Sequence, residues 1–151
     1  MNPIVHFEIP AKDMGRAKEF YSKLFGWNIN TFEGEAAANE SYMTVETTKE
    51  PTCLGGGILP KMQEGHNITI YIGVDSVDEY SKKVEELGGK VCCPKMAVPK
   101  MGYFVCCIDT EENPFAIWEE DKNAELTKEQ LEFQKKECPP EDCSCCSATC
   151  Q

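Results

Sequence analysis

VHFEIPAKDMGRAKEFYSKLFGW, residues 5–27, changes its period part-way along. Val5, Phe7 and Ile9 alternate with His6 and Glu8, the pattern of a strand with two unlike faces. Asp13 then caps a helix in which Met14, Ala17, Phe20, Tyr21, Leu24 and Phe25 recur at helical spacing, and Gly26 ends it. Strand-like runs follow at 27–32 and 40–46, and again after the glycines near 55–59.

The same order recurs further on. Within NITIYIGV at 67–74, Ile68, Ile70, Ile72 and Val74 share one face, and Thr69, Tyr71 and Gly73 share the other. Ser76 and Glu79 make a capping box. Val77, Tyr80, Val84 and Leu87 form a helical stripe that Gly88 and Gly89 stop. Strands are expected at 90–93, 103–109 and 114–119, with DTEENP as the turn between the last two. Ile9 and Ile72, Met14 and Val77, Leu24 and Leu87, Gly26 and Gly89 are each 63 residues apart, and on that shift His6 falls on Thr69. Tandem duplication is the simplest account. The predicted fold is α+β: two βαβββ units, about 1–60 and 61–121, whose curved mixed sheets form a cup, with one helix packed on the outer face of each.

Parity assigns the faces. Val5, Phe7 and Ile9 belong under the first helix, and Ile68, Ile70, Ile72 and Val74 under the second. The cup then receives Ile4, His6, Glu8, Thr69, Tyr71, Ala116 and Trp118. Two aromatics, a histidine, a carboxyl and a hydroxyl suit an organic ligand of modest size. His6 and Glu8 lie two apart on one strand and read either as an acid/base pair facing that ligand or as polar residues at a wet rim.

Composition narrows the function. The chain has 151 residues, with 15 Lys and Arg against 26 Asp and Glu, a formal net charge of -11. Such a surface repels a phosphate backbone, so nucleic acid is not an expected partner. Arg16 is the sole arginine, which argues against a multi-phosphate clamp. No apolar run reaches the length of a membrane span. The start, MNPIVHFEIP, lacks the basic and apolar regions of a secretion signal, so a cytoplasmic protein is expected. Gly55-Gly56-Gly57 lacks the Lys-Ser/Thr pair and the following helix of a phosphate loop, and is expected to be a flexible loop and turn.

The three stretches 5–27, 70–91 and PKMAVPKMGYFVCCIDTEENPFAIWEE at 94–120 resemble the vicinal oxygen chelate superfamily, which includes glyoxalase I, bleomycin-resistance proteins and extradiol dioxygenases. The nearest branch is the loosely named glyoxalase-related proteins. In metal-using members, the resemblance implies four His or Glu ligands on inward strand positions, two per unit, around a divalent ion. His6 matches the first position. The others fall on Thr69, on Ala116 and near Gly56 or Gly57. Ala and Gly offer no side-chain donor, and Thr is a poor ligand for Zn or Ni. The expectation is therefore a protein that binds a small organic molecule in the cup with no metal or cofactor there. Two alternatives stay open. One is a glyoxalase-like lyase or isomerase, using His6 with a relocated metal (Glu119 or Glu120 after an alignment slip) or using His6 and Glu8 as acid and base. The other is a thiol or metal-handling protein. A homodimer is also expected from the resemblance.

The third reading comes from the C-terminus. Leu126, Thr127, Gln130 and Leu131 make a capping box and staple, so a helix is expected across 122–137, ended by Cys138-Pro139-Pro140. Five of the ten cysteines, Cys138, Cys143, Cys145, Cys146 and Cys150, lie in the tail 138–151. Their spacing matches no standard finger or ferredoxin run, but five nearby thiols wrap a soft metal such as Zn. Metal binding, disulfide chemistry and an unstructured tail are the three roles left open. The body cysteines Cys92, Cys93, Cys106 and Cys107 are expected to be buried thiols in strands, one of the last two facing the cup.

Overall fold

In the computed structural model of the chain, the described residues are 1–32, 42–50 and 54–126, with Lys128 and Gln130. The strands and helices run β1 (Ile4–Ala11), α1 (Met14–Phe25), β2 (Asn28–Thr31), β3 (Met43–Glu46), β4 (Gly55–Pro60), β5 (Thr69–Gly73), α2 (Val77–Glu86), β6 (Lys90–Val91), β7 (Met96–Val98), β8 (Gly102–Ile108) and β9 (Pro114–Glu120). The fold is the α+β pair of units expected from the repeat. Unit one has the predicted order. Unit two carries an additional short strand, β7, which pairs with β8.

The helices start and stop where their caps dictate. The Asp13 carboxylate accepts from Arg16 N at 2.8 Å, and Gly26 closes α1 at φ 72° with its N–H on Ser22 O. That left-handed conformation favours glycine. Ser76 accepts from Glu79 N at the start of α2, and Gly88 follows the end of that helix at φ 88°.

The two sheets are one. Among the described residues nine strands form a single sheet, in the order β2-β3-β4-β1-β5-β9-β8-β6, with β7 off this path. The join is the antiparallel β1–β5 seam, where His6 lies opposite Tyr71, Phe7 opposite Ile70 and Glu8 opposite Thr69. On either side the pairing is parallel: β1 with β4, where Glu8 meets Gly57, and β5 with β9, where Tyr71 meets Ala116. The seam thus relates the units by a pseudo-twofold axis. It carries His6 towards Thr69, Glu8 towards Tyr71 and Gly57 towards Ala116.

Helix α1 lies on β4 and β2, and α2 on β6, β8 and β9. Under α1 the core joins Phe7, Ile9, Tyr21, Trp27, Ile29, Val45 and Ile58. Under α2 it joins Val77, Tyr80, Val84, Val105, Cys107 and Ile117. This placement corrects one parity expectation. Val5, Ile68 and Ile70 occupy the convex side of the seam and are 39%, 57% and 36% exposed. The helices cover the flanks of the sheet and leave its middle uncovered.

Gly55-Gly56-Gly57 is likewise corrected. These residues are the first half of β4, paired with both β1 and β3. Glycine is needed for space here, not for flexibility. A Cβ on Gly56 would overlap the Phe7 ring, and one on Gly57 would overlap the Tyr42 hydroxyl.

Lys128 and Gln130 are helical, and the buried Gln130 amide brackets the β7 edge. Its Nε2 donates to Ala97 O at 2.9 Å, and its Oε1 accepts from Ala97 N at 2.8 Å. Residues 122–126, placed in the expected 122–137 helix, are instead a turn and irregular chain; residues 127 and 129, the part of that helix beyond Gln130, and the Cys138, Cys143, Cys145, Cys146 and Cys150 tail lie outside the described residues.

Candidate functional site

The concave face at the seam carries a hydrogen-bonded run of four side chains. Glu8 and Tyr71 are diagonal neighbours across β1 and β5, and the Tyr71 hydroxyl donates to Glu8 Oε2 at 2.8 Å. Both residues are buried, with Glu8 7% exposed. The Tyr42 hydroxyl reaches the same carboxyl and lies 2.8 Å from His6 Nε2. The His6 and Tyr71 rings meet edge to face, with centroids 5.5 Å apart. His6 and Glu8 therefore share the cup and are linked through Tyr42.

The electrostatics follow from burial. Desolvation pushes the Glu8 carboxyl above its ordinary range, against the opposing pull of the Tyr71 and Tyr42 hydroxyls. Burial also lowers the His6 imidazole, favouring its neutral form. Tyr71 and Tyr42 are both raised, first by burial and then by the neighbouring Glu8 charge. The four groups thus favour their neutral forms. The ion pairs of the described residues lie elsewhere, at Lys23–Glu19 and around Lys95. A buried carboxyl held by two phenols, one of which also bonds an imidazole, is the kind of cluster found at functional sites.

The Tyr71 end of this run packs with Ala116 and Trp118, and with Met96, Phe104, Cys93 and Cys106. The Tyr71 and Phe104 rings meet edge to face at 6.2 Å. Thr69 is buried beside the run, and Ile4 is exposed near a break in the β1–β5 register. Cys106 is the cysteine of its pair that faces the cup. Cys107 packs under α2, where burial pushes its thiol up to about 12.

Tyr42 was not singled out in the sequence. It precedes β3, and its backbone is tied to Phe32 N at 2.9 Å. Its ring meets Phe32 edge to face at 6.1 Å. The sequence signal for it is the glycine run: three small residues in a strand leave room for a large side chain from a neighbouring strand.

The donor set does not suit the divalent centre that the resemblance implies. The four positions hold His6, Gly57, Thr69 and Ala116. Among the described residues no three His, Cys, Asp or Glu side chains gather as a metal would need. Nor does Glu119 supply a ligand: its Oε2 accepts from Val77 N at 2.9 Å, capping α2 on the convex side. Glu120 is exposed at the far end of β9, opposite Gly102.

Residues 3–38 match the family model described as bleomycin resistance protein-like N-terminal. A glyoxylase-like domain-containing protein of Didymella fabae is 31% identical over 115 residues, covering 73% of this chain and 88% of that one. The chain belongs to the vicinal oxygen chelate superfamily. A second member, the anthracycline biosynthesis protein DnrV of Streptomyces peucetius, is 25% identical over 140 residues; these are 80% of this chain and 49% of that protein. Among solved structures, a glyoxalase/bleomycin resistance protein/dioxygenase superfamily member from Vibrio splendidus shares the fold at 9% identity and a TM-score of 0.55, covering 80% of this chain and all of that one. Among the described residues, no helix of this vicinal oxygen chelate protein is long and apolar enough to cross a membrane.

Proposed function

We propose that this chain binds a small organic molecule on the concave face of its sheet without a four-ligand divalent metal. The observation that carries this reading is Glu8, a buried carboxyl hydrogen-bonded to Tyr71 and set among aromatic side chains. Two further facts support it. Three of the four positions where the superfamily's metal ligands would sit are Gly57, Thr69 and Ala116. The match to a bleomycin resistance-like model and to an anthracycline biosynthesis protein points towards polycyclic or aromatic ligands.

The test is a titration of the isotope-labelled chain with an anthracycline and then with a diverse fragment library, followed by amide NMR. Shifts are expected at Glu8, Thr69, Tyr71, Phe104 and Trp118, with Val5 and Ile70 on the convex side left unmoved. Shifts confined to the convex side, or none from the whole set, would contradict the proposal.

A second reading is favoured by the run itself. His6 and Tyr42 are half-buried, whereas Glu8 and Tyr71 are buried. The hydrogen bonds therefore connect an accessible imidazole to an enclosed carboxyl. That arrangement suits metal-free proton transfer to or from a bound molecule, with Glu8 as the acid or base and His6 as its exchange partner.

A further inference from the structure

We infer that Tyr42 is a ligand-gripping residue. Its hydroxyl fills the place of the side chain missing at Gly57 and, with Glu8, Tyr71 and His6, recognises the hydroxyl of a phenol or enol. The inference rests on the small-molecule reading above and adds the chemical class of the ligand.

Gly57 and Ala116 are equivalent positions, because Glu8 meets Gly57 as Tyr71 meets Ala116. By resemblance, these are places where a side chain would reach into the cup and hold a metal. Neither residue reaches in. On the Gly57 side, a phenol from the adjoining hairpin does so instead, since a Cβ built on Gly57 would land on the Tyr42 hydroxyl and ring. Gly57 and Tyr42 are thus a matched pair. Any side chain at 57 displaces the hydroxyl.

The group assembled there has a definite preference. Tyr42 and Tyr71 each offer an O–H, and Glu8 and His6 each offer an acceptor. A carboxylate or phosphate ligand would bring its own charge into a buried site where, among the described residues, no hydrogen bond or ion pair brings a Lys or Arg to Glu8. A metal-chelating ligand would meet no ion. A hydroxyl on a flat, electron-poor body fits: it donates to Glu8 or His6, accepts from a tyrosine, and lies among Phe32, Phe104 and Trp118. Donation and acceptance by one ligand oxygen is the complement of two phenols flanking a carboxyl. The half-buried His6 and Tyr42 are the side from which such a group enters.

The experiment compares 4-nitrophenol, at about pH 5.5 where it is un-ionised, with 4-nitroanisole, in which the same oxygen is methylated and cannot donate. Binding to the full chain is followed by tryptophan fluorescence. The phenol is expected to bind about tenfold more tightly than the anisole, the worth of one well-made hydrogen bond in a desolvated site. Tyr42→Phe and Gly57→Ala, which remove or displace the O–H that the ligand oxygen accepts from, are each expected to weaken 4-nitrophenol about fivefold or more. Gly57→Ala keeps the Tyr42 hydroxyl but pushes it out of place. Thermal melts identify a variant that has simply lost its fold. Equal affinity for the two compounds in the wild-type chain overturns the inference and leaves the small-molecule reading standing. A 4-nitrophenol affinity within about twofold of wild type in the folded Tyr42→Phe chain overturns the role of Tyr42. Failure of both compounds to bind removes the inference; the NMR titration then decides the broader reading independently.

Discussion

Glu8→Gln is expected to make the protein more stable, and increasingly so as the pH rises. The carboxyl is buried and its folded-state value is raised above the ordinary 4.5 by desolvation. Between 4.5 and the raised value the folded chain holds a proton that the unfolded chain has lost. Stability therefore falls as pH climbs through that window, and the penalty is complete above it. Glutamine keeps an oxygen for the Tyr71 hydroxyl and has nothing to ionise. The expected gain is small at pH 4.5 and widens as the pH rises through the raised value, seen as a growing difference in melting temperature. His6 acts in the opposite sense. Its folded value is lowered from 6.5, so it contributes stability that is present above 6.5 and lost as pH falls through the folded value. The variant should retain the acid-side limb, to which His66, likewise lowered by burial, also contributes. Melts from pH 4.5 to 8 check both limbs, and a gain that is the same at every pH would contradict the assignment. The stabilised variant is also expected to lose ligand affinity, because a site that stores a desolvated carboxyl gives up stability for function.

Gly56→Val is expected to destabilise the fold by about 3 kcal/mol or more. A Cβ at this position overlaps the Phe7 ring, and a branched side chain adds to the overlap. Phe7 has little room to retreat. Its ring lies 6.1 Å from Trp27, which is stacked in turn on Tyr21 at 5.2 Å. The strand is also central, with β1 on one side and β3 on the other, so its backbone cannot shift without breaking two ladders. Urea unfolding reads the loss directly. A midpoint within about 0.3 M of wild type would show that β4 is not packed against Phe7 in this way.

These two residues also show what a sequence yields on its own. Glu8 was legible because a strand with one buried face fixes parity: once Phe7 and Ile9 are placed under α1, His6 and Glu8 turn to the other side. Tyr71, Ala116 and Trp118 followed by the same argument. The duplication was legible because both units repeat the change from period two to period 3.6 and both helices end at glycine. The glycine run was misjudged because local preference for turns says nothing about a neighbour's bulk, and the demand for small residues at 56 and 57 comes from Phe7 and Tyr42. Tyr42 itself was missed for a related reason. Its place in the cup depends on the register of β3 against β4, a contact between strands that no local sequence pattern specifies. Val5 and Ile70 were placed under the helices by parity alone. Which strands a helix covers depends on its crossing of the sheet, and the seam between the two units falls under neither helix.

The most direct test of the metal-free cup is a crystal structure of the full-length chain, grown from protein expressed and purified with Zn, Ni, Mn and Co present, with anomalous diffraction collected at each metal edge. Sites at the C-terminal cysteines are then separated from the cup by position. The account predicts no anomalous peak within coordination distance of His6 Nε2, and a Tyr42 hydroxyl in hydrogen-bond contact with that atom. A divalent ion held between His6 and Glu8 at full occupancy would contradict it.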